Sequence, residues 1–142
     1  MGLEVLTMSN PLILYVEDDA TTRETIRRAP TSNGYEIVLA TDGKEGWNAY
    51  QTTKPALVMT GLRMPVVSGE ELIQRIREVD KDVPILVLTG YANMELASSL
   101  FNDFSICEYL SKPVSIEELI KSIQTCLSRT KQSATNLLEK KG

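Results

Sequence analysis

Short, strongly apolar runs alternate along the chain with longer stretches in which apolar residues recur every three or four positions. The first, third and fourth runs are apolar at nearly every position, which is typical of strands buried on both faces of a parallel sheet. The longer stretches have the spacing of amphipathic helices. This alternation predicts an α/β fold with a parallel sheet. The predicted strands cover residues 12–16, 35–40, 56–60, 85–88 and 108–110.

Three of the predicted helices begin with a capping box, in which an N-cap side chain and a glutamate three positions later satisfy each other's backbone N–H groups. The pairs are Asp42 with Glu45, Ser68 with Glu71, and Ser115 with Glu118. The spacing after two of the helix starts also predicts buried faces. These faces are Leu72, Ile73, Ile76 and Val79 after Ser68, and Ala97, Leu100, Phe101 and Phe104 after Asn93.

The first helix is predicted to be short. It begins near Ala20, and Pro30 disfavours helical geometry at Ala29. We therefore expect the helix to end near Arg28 and residues 29–34 to form a loop.

The last predicted helix has apolar residues in alternating steps of four and three, the repeat of a coiled-coil seam. One interpretation is a helix that packs on the domain to about Leu127 and is followed by a polar tail. The other is a helix that continues further and pairs with a second chain. The seam positions are Ile116, Ile120, Ile123, Leu127, Thr130, Ala134 and Leu137.

Length, composition and charge exclude several classes of protein. The 142 residues predict one domain over residues 11–128, with an extension at 1–10 and a helical or linker tail at 129–142. No apolar run approaches the roughly 20 residues that a membrane span needs. The net charge of −4 argues against a nucleic-acid surface.

Histidine is absent from the chain, and cysteine occurs only at Cys107 and Cys126. This inventory excludes zinc sites, Ser-His triads and histidine general bases. Because the two cysteines lack close pair spacing, we expect reduced thiols in a cytoplasmic protein.

Chemically active residues follow three of the apolar runs. Glu17 and Asp18 follow the first, Thr89 ends the fourth, and Lys112 follows the fifth. In an open parallel sheet, sites form beyond the carboxyl ends of the strands, so these side chains are expected to share one pocket. Gly61, after the third run, contributes no side chain to it.

Each of these residues also has a simpler interpretation. Glu17 and Asp18 could bind Mg²⁺ through oxygen, or merely favour the positive N-terminus of the following helix. Lys112 could contact a phosphate as a point charge, or be a solvated surface lysine. Thr89 could donate its hydroxyl to a phosphate oxygen, or satisfy a helix start.

Taken together, the residues resemble the receiver domain of two-component response regulators over roughly residues 11–128. The resemblance implies a doubly wound (βα)5 fold with five parallel strands in the order 2-1-3-4-5, the flavodoxin-like receiver fold. The segments that carry it are Ile13-Leu14-Tyr15-Val16-Glu17-Asp18-Asp19, Ala40-Thr41-Asp42-Gly43, Leu62-Arg63-Met64-Pro65 with Gly69, Leu86-Val87-Leu88-Thr89-Gly90, and Tyr109-Leu110-Ser111-Lys112-Pro113.

The resemblance also implies roles for individual residues. Mg²⁺ would bind at Glu17, Asp18 and the backbone carbonyl of Arg63, and Thr89 and Lys112 would contact a phosphoryl group. In such domains, an aspartate at the end of the third strand takes that group from a partner histidine kinase.

Two further expectations follow from the resemblance. Tyr109 would be the aromatic residue that moves between exposed and buried positions, and the Lys112–Pro113 peptide bond would be cis. The face made by the fourth helix, the fifth strand and the fifth helix would change shape when the domain is phosphorylated.

Gly61 stands where the family has its phosphoacceptor aspartate. Glycine has no nucleophile, so no acyl phosphate can form there. Thr60 cannot replace it, because strand alternation points its side chain to the other face of the sheet. Without an aspartate at position 61, Glu17 and Asp18 should experience less like-charge repulsion. Mg²⁺ should bind weakly, because one ligand and one negative charge are missing. A natural receiver that signals without phosphate and a chain altered by an inactivating substitution both remain open.

The expected function is a non-enzymatic receiver module of a two-component phosphorelay, acting on a histidine kinase or another signalling protein. A phosphorylation-independent pseudo-receiver or dimerisation module, with a homodimer formed through the last helix, is the main alternative. A small phosphatase of the haloacid-dehalogenase type is less favoured, because its nucleophile would fall on Glu17. We expect no nucleic-acid or membrane partner, and either a stand-alone receiver or a fragment of a longer protein.

Overall fold

The computed structural model describes the backbone of residues 10–91 and 93–141, and the side chains of those residues up to 129. Five strands form one parallel sheet in the order β2-β1-β3-β4-β5, which confirms the predicted fold class and strand order. The strands are β1 (Leu12–Val16), β2 (Glu36–Ala40), β3 (Leu57–Thr60), β4 (Ile85–Thr89) and β5 (Glu108–Ser111). The helices are α1 (Ala20–Ser32), α2 (Gly43–Thr53), α3 (Gly69–Val79), α4 (Met94–Phe104) and α5 (Ile116–Lys141).

The sheet has a hydrophobic core on each face, as a doubly wound fold requires. Residues 13–16 of β1 and all residues of β3 and β4 are buried, so the continuous apolar runs are indeed strands covered on both sides. One core joins alternate strand residues to α2, α3 and α4, through Leu14, Val58, Ile76 and Leu100 among others. The other joins the remaining strand residues to α1 and α5, through Ile13, Met59, Ile26 and Ile123 among others.

The predicted helix starts are confirmed by their capping side chains. Asp42, Ser68 and Ser115 each accept a hydrogen bond from the backbone N–H three residues later, and Asn93 does the same for α4. The reciprocal half of the first box is displaced by one residue, since Glu45 accepts from the backbone N–H and the hydroxyl of Thr41. Each cap satisfies an otherwise unpaired donor of the first turn.

The predicted end of α1 near Arg28 is wrong, because the helix continues to Ser32 with Pro30 inside its last turn. Ala29 and Pro30 are both buried, so packing stabilises helical geometry at a position where sequence preference opposes it. Asn33 completes the turn, since its backbone N–H and its side-chain amide both donate to the carbonyl of Ala29.

Two residues of the predicted apolar faces lie at the surface. Val79 is the last residue of α3 and is 67% exposed. Phe101 is 41% exposed, whereas Leu100 is buried. In α4 the buried stripe follows steps of four through Leu96, Leu100 and Phe104, so Phe101 lies about 100° around the helix from it.

The last helix runs over Ile116–Lys141, beyond the Leu127 end of the shorter interpretation. Three of its predicted seam residues nevertheless pack against the sheet of the same domain, the last of them being Leu127. Ile123 is fully buried, and Ile120 and Leu127 pack beside it on the sheet. Ile116 does not join them and is 67% exposed. The remaining seam positions Thr130, Ala134 and Leu137 lie outside the residues whose side chains are described.

The expectation of reduced thiols is wrong, because Cys107 and Cys126 form a disulfide. The 19-residue separation hid the pairing in the sequence. Packing of α5 against the sheet brings Cys126 next to Cys107, the residue immediately before β5. None of the helices in the described part of the chain combines the length and the hydropathy that crossing a bilayer requires.

Reduction of the disulfide should destabilise the domain. A cross-link that closes a loop of this length stabilises by about 3 kcal/mol, chiefly by restricting the unfolded chain. Urea unfolding with and without dithiothreitol measures the difference. The Cys107→Ser variant is the control, and its unfolding should not respond to the reductant. Identical curves for the unsubstituted protein in both conditions would contradict the cross-link.

Candidate functional site

A pocket of about 250 Å³ lies at the carboxyl ends of β1, β3 and β4, next to the segment that follows β5. The structure therefore brings together the residues that the sequence analysis predicted to converge. The pocket is lined by Glu17, Asp18, Gly61, Leu62, Arg63, Leu88, Thr89, Gly90, Tyr91 and Lys112. Tyr109 is not among them.

Glu17 is the buried centre of this pocket, with a side chain only 4% exposed. Its Oε1 accepts from the Lys112 ammonium at 2.5 Å and from the Tyr15 hydroxyl at 3.3 Å. Its Oε2 accepts from the backbone N–H of Asp19 at 3.2 Å. Lys112 is thus half of a partly buried ion pair and not a solvated surface lysine.

The side chains next to Glu17 are influenced by its charge and by helix α1, which follows it. Burial, and then the charge of Glu17, raise the pKa of Tyr15, which keeps this hydroxyl protonated as a donor. Asp19 is the N-cap of α1, and hydrogen bonds from Thr22 lower the pKa of this carboxyl. Arg23 donates to the backbone carbonyl of Glu17 at 2.7 Å and so stabilises the loop that carries Glu17 and Asp18.

Gly61 lies directly after β3, and its backbone N–H donates to the carbonyl of Val16 at 3.0 Å. A Cβ atom built on Gly61 would meet nothing closer than the Leu88 carbonyl oxygen at 3.7 Å and Glu17 Oε1 at 3.9 Å. These are ordinary van der Waals distances, and the backbone is not in the left-handed region. Neither packing nor backbone conformation requires glycine at this position.

Gly69 is the opposite case. A Cβ atom there would meet the carbonyl group of Gly61 and the backbone of Leu62 inside contact distance. The Gly69 N–H donates to the Leu62 carbonyl at 2.8 Å, which holds the start of α3 against the pocket loop. Close backbone approach therefore demands glycine at 69 but not at 61.

A chain of contacts connects the pocket with Tyr109. Thr89 Oγ1 accepts from the backbone N–H of Tyr91 at 3.1 Å, and the Tyr91 carbonyl accepts from the Tyr109 hydroxyl at 2.8 Å. The Arg63 guanidinium lies over the Tyr91 ring, 3.7 Å from its centroid. Tyr109 is half-buried, and burial raises the pKa of its phenol.

Sequence reasoning missed Tyr91, Arg23 and the Arg63 side chain. The only signal for Tyr91 was its place just after Thr89-Gly90 at a strand end. The two arginines act through contacts that depend on loop geometry, so nothing in their spacing marked them.

Few oxygen atoms at this site are available as ligands for a magnesium ion. In the described part of the chain, no group of three or more His, Cys, Asp or Glu residues is arranged to hold a metal. Asp18 is exposed at the pocket, but both oxygens of Glu17 already accept hydrogen bonds. Magnesium is often bound through one or two carboxylates and water, so Glu17, Asp18 and the Arg63 carbonyl are the residues that would hold it.

The family model of the response regulator receiver domain matches residues 13–124. The chain therefore belongs to the response regulator receiver domain family, the signalling modules of two-component systems. The Lys112–Pro113 peptide bond is cis, as the resemblance implied.

The comparisons with individual proteins agree with this assignment. The chain is 38% identical over 120 residues to response regulator MprA of Mycobacterium leprae, which covers 84% of this chain and 52% of that protein. The chain thus spans about half the length of the curated relatives that it matches. Among solved structures, the HemR receiver domain of Leptospira biflexa is 29% identical with a TM-score of 0.78, covering 84% of this chain and 95% of that one.

A receiver domain (CheY-like) from Methanospirillum hungatei has the same fold with a TM-score of 0.83. It is 24% identical, and the match covers 88% of this chain and 99% of that one. At this identity the likeness concerns the fold alone.

Lys112→Met should destabilise the domain by about 2 kcal/mol, because it leaves the buried Glu17 carboxylate without its cation. The loss stays below that of a fully buried pair, since Lys112 is partly exposed and Tyr15 and Asp19 still donate to Glu17. Chemical denaturation measures the effect. Adding Glu17→Gln to Lys112→Met should recover part of the lost stability. Two fully additive losses would show that the ion pair contributes nothing.

Proposed function

We propose that this receiver domain signals through protein–protein contacts without forming an acyl phosphate at residue 61. The observation that carries the proposal is the place of Gly61, at the end of β3 beside Glu17 and in the same pocket as Lys112 and Thr89. A phosphoryl group transferred to this pocket would need a nucleophile there, and glycine has none.

The neighbouring hydroxyl offers no substitute. Thr60 is fully buried, is not among the residues that line the pocket, and donates its hydroxyl to the Gly61 carbonyl at 2.7 Å. Its hydroxyl proton is therefore already engaged, outside the pocket that Lys112 lines. A phosphate-independent, non-enzymatic role agrees with both residues.

The proposed partners are a histidine kinase or another signalling protein. The relatives named MprA are response regulators, and their match to this chain supports a place in the same kind of system. Exposed apolar side chains at the start of α4 and of α5, Met94 and Ile116, lie on the elements that flank β5 and Tyr109. Such residues favour docking of another protein on this side of the domain.

The Gly61→Asp variant should gain a phosphoryl group when incubated with acetyl phosphate and Mg²⁺. The space at Gly61 accepts a Cβ atom, and the new carboxylate would lie in the pocket with Lys112 and Thr89. Intact-protein mass spectrometry measures the adduct, and hydroxylamine should remove it because it cleaves acyl phosphates.

Gly61→Asn is the matched control, because it has the same shape without a nucleophilic carboxylate. It should stay unmodified, as should the unsubstituted protein. Modification of the unsubstituted protein in this pocket would refute the proposal. Failure of the folded Gly61→Asp variant to react would refute the receiver chemistry assigned to Thr89 and Lys112.

We further propose that Mg²⁺ binds weakly, with a dissociation constant of about 1 mM or above, because few protein oxygens are available for it. Isothermal titration calorimetry measures the affinity. Gly61→Asp should tighten binding by adding a carboxylate, and Gly61→Asn should not. Binding of the unsubstituted protein well below millimolar would mean that other ligands contribute.

The length of α5 favours a homodimer as part of the same function. The helix runs to Lys141, and its seam residues Ile120, Ile123 and Leu127 pack within the domain. Among the predicted seam positions, the later part of the helix is left for a second chain, beside the exposed Ile116 at its start. Light scattering coupled to gel filtration should give a dimer that Leu137→Lys weakens and Gln132→Lys, outside the seam, does not. A monomer at all concentrations would exclude the pairing.

A further inference from the structure

The two cysteines lie away from the pocket, at the opposite end of β5. Cys107 directly precedes that strand, whereas Lys112 directly follows it. The cysteines also differ in their exposure. Cys126 is fully buried among the core residues of α5 and the sheet, and Cys107 is half-buried at the edge of this core. A reagent in solution therefore reaches the disulfide through Cys107.

Arg129, on α5, is a cation beside the accessible sulfur. Its Nη1 donates to Cys107 Sγ at 3.5 Å and to the Cys107 carbonyl at 3.3 Å. Its Nη2 lies 3.9 Å from the Glu108 carboxylate, so this acid interacts with the other nitrogen and at a longer distance. A guanidinium in this position stabilises a negative charge on the Cys107 sulfur, and the negative form of the sulfur is the nucleophile.

A sulfur that is accessible, lies beside a cation and has a second sulfur as its partner is typical of a redox-sensitive cysteine pair. A cross-link that only stabilises the fold gains nothing from a cation at one sulfur. Thiolate chemistry does gain from it, because the cation favours the reactive form. The asymmetry between the two residues therefore gives them different roles, with Cys107 as the residue that reacts first and Cys126 as its resolving partner.

The disulfide also constrains a segment that carries two residues singled out by the sequence. It closes the segment between positions 107 and 126, which contains Tyr109 and Lys112. Without the disulfide, Ile123 would still pack α5 on the sheet. The oxidised form therefore restrains Tyr109 and Lys112 more than the reduced form does, while both forms keep the fold.

We propose that Cys107 and Cys126 form a reversible redox site, in which a hydroperoxide oxidises Cys107 and Cys126 converts the product to the disulfide. This site gives the domain an input that needs no nucleophile at residue 61. It lies outside the proposed function, so the tests with Gly61→Asp do not bear on it.

The oxidation takes place in two steps. The Cys107 thiolate attacks one oxygen of the hydroperoxide, the O–O bond breaks, and the leaving oxygen takes up a proton and departs as water or an alcohol. The sulfenic acid formed on Cys107 is then attacked by the Cys126 sulfur, so that the S–S bond forms and water is released. Two electrons pass from the sulfur atoms to the peroxide.

A dithiol reductant reverses the reaction. Its thiolate attacks Cys107 Sγ, because Cys126 is buried, and the electron pair of the S–S bond leaves with Cys126, which takes up a proton. The second thiol of the reductant then attacks the mixed disulfide and releases Cys107. The reductant departs as a disulfide, so both electrons have returned to the cysteines.

The first test measures which cysteine reacts. The full chain is reduced with dithiothreitol, freed of it and treated with hydrogen peroxide in the presence of dimedone, which labels sulfenic acids. The Cys126→Ala variant should be labelled at Cys107 in peptide mass spectrometry, because no resolving thiol remains. In Cys107→Ala, Cys126 should stay unlabelled because it is buried. Equal labelling of the two folded variants, or no label in Cys126→Ala, would overturn the assignment.

Arg129→Met tests the cation in a chain that keeps both cysteines. Disulfide formation by hydrogen peroxide at neutral pH should slow by about tenfold, the effect expected when a thiolate loses one charge-assisted hydrogen bond. Quenching with iodoacetamide at successive times measures the rate. Arg28→Met, at a surface arginine on α1, is the matched control and should react like the unsubstituted protein. Equal rates in the two variants would overturn the role of Arg129.

Hydrogen exchange separates a redox switch from a merely structural cross-link. Dithiothreitol should reduce the folded protein without denaturant, and exchange at the amides of Tyr109 and Lys112 should then accelerate by a larger factor than exchange in β1. Cys107→Ala should show the same exchange with and without the reductant. A disulfide that resists reduction in the folded protein, or equal factors in β1 and at Tyr109, would mean that the cross-link is only structural and would overturn the proposal.

Discussion

The ion pair between Lys112 and Glu17 joins residues that are 95 positions apart and closes the pocket in which the candidate site residues meet. Glu17 is buried at the end of β1, so its charge needs a cation and hydrogen-bond donors. Lys112 can supply that cation only because its backbone N–H donates to the Thr89 carbonyl at 2.8 Å, which brings the segment after β5 next to β4. The parallel sheet sets the distances between the strand ends, and the ion pair links the end of β1 to the segment after β5.

The glycine at position 61 has few structural consequences for the pocket around it. The pocket retains its cation, its hydroxyl and both acidic side chains, and the close approach of Gly69 keeps the loop after β3 in place. What is missing is a reactive group and not a surrounding structure. This is why a receiver fold with an intact pocket and a residue without a nucleophile at position 61 are compatible in one chain.

The sequence predicted the features that arise from short-range rules. Strand runs, N-caps at Asp42, Ser68 and Asn93, and the convergence of strand-end residues all follow from local periodicity and hydrogen bonding. Features that depend on neighbours from elsewhere in the chain were missed. Pro30 remains helical because its surroundings bury it, and Phe101 lies at the surface because Leu96 and Leu100 set the buried stripe of α4.

By itself the sequence determined the fold class, the order of chemical groups along the chain and the lack of a nucleophile at residue 61, since these depend on residue identity and period. Only the tertiary structure decided that Cys107 meets Cys126, that Arg63 lies on Tyr91, and that Tyr91 links the pocket to Tyr109. Contacts of this kind are set by the packing of whole elements against each other. No local pattern of residues encodes their distances.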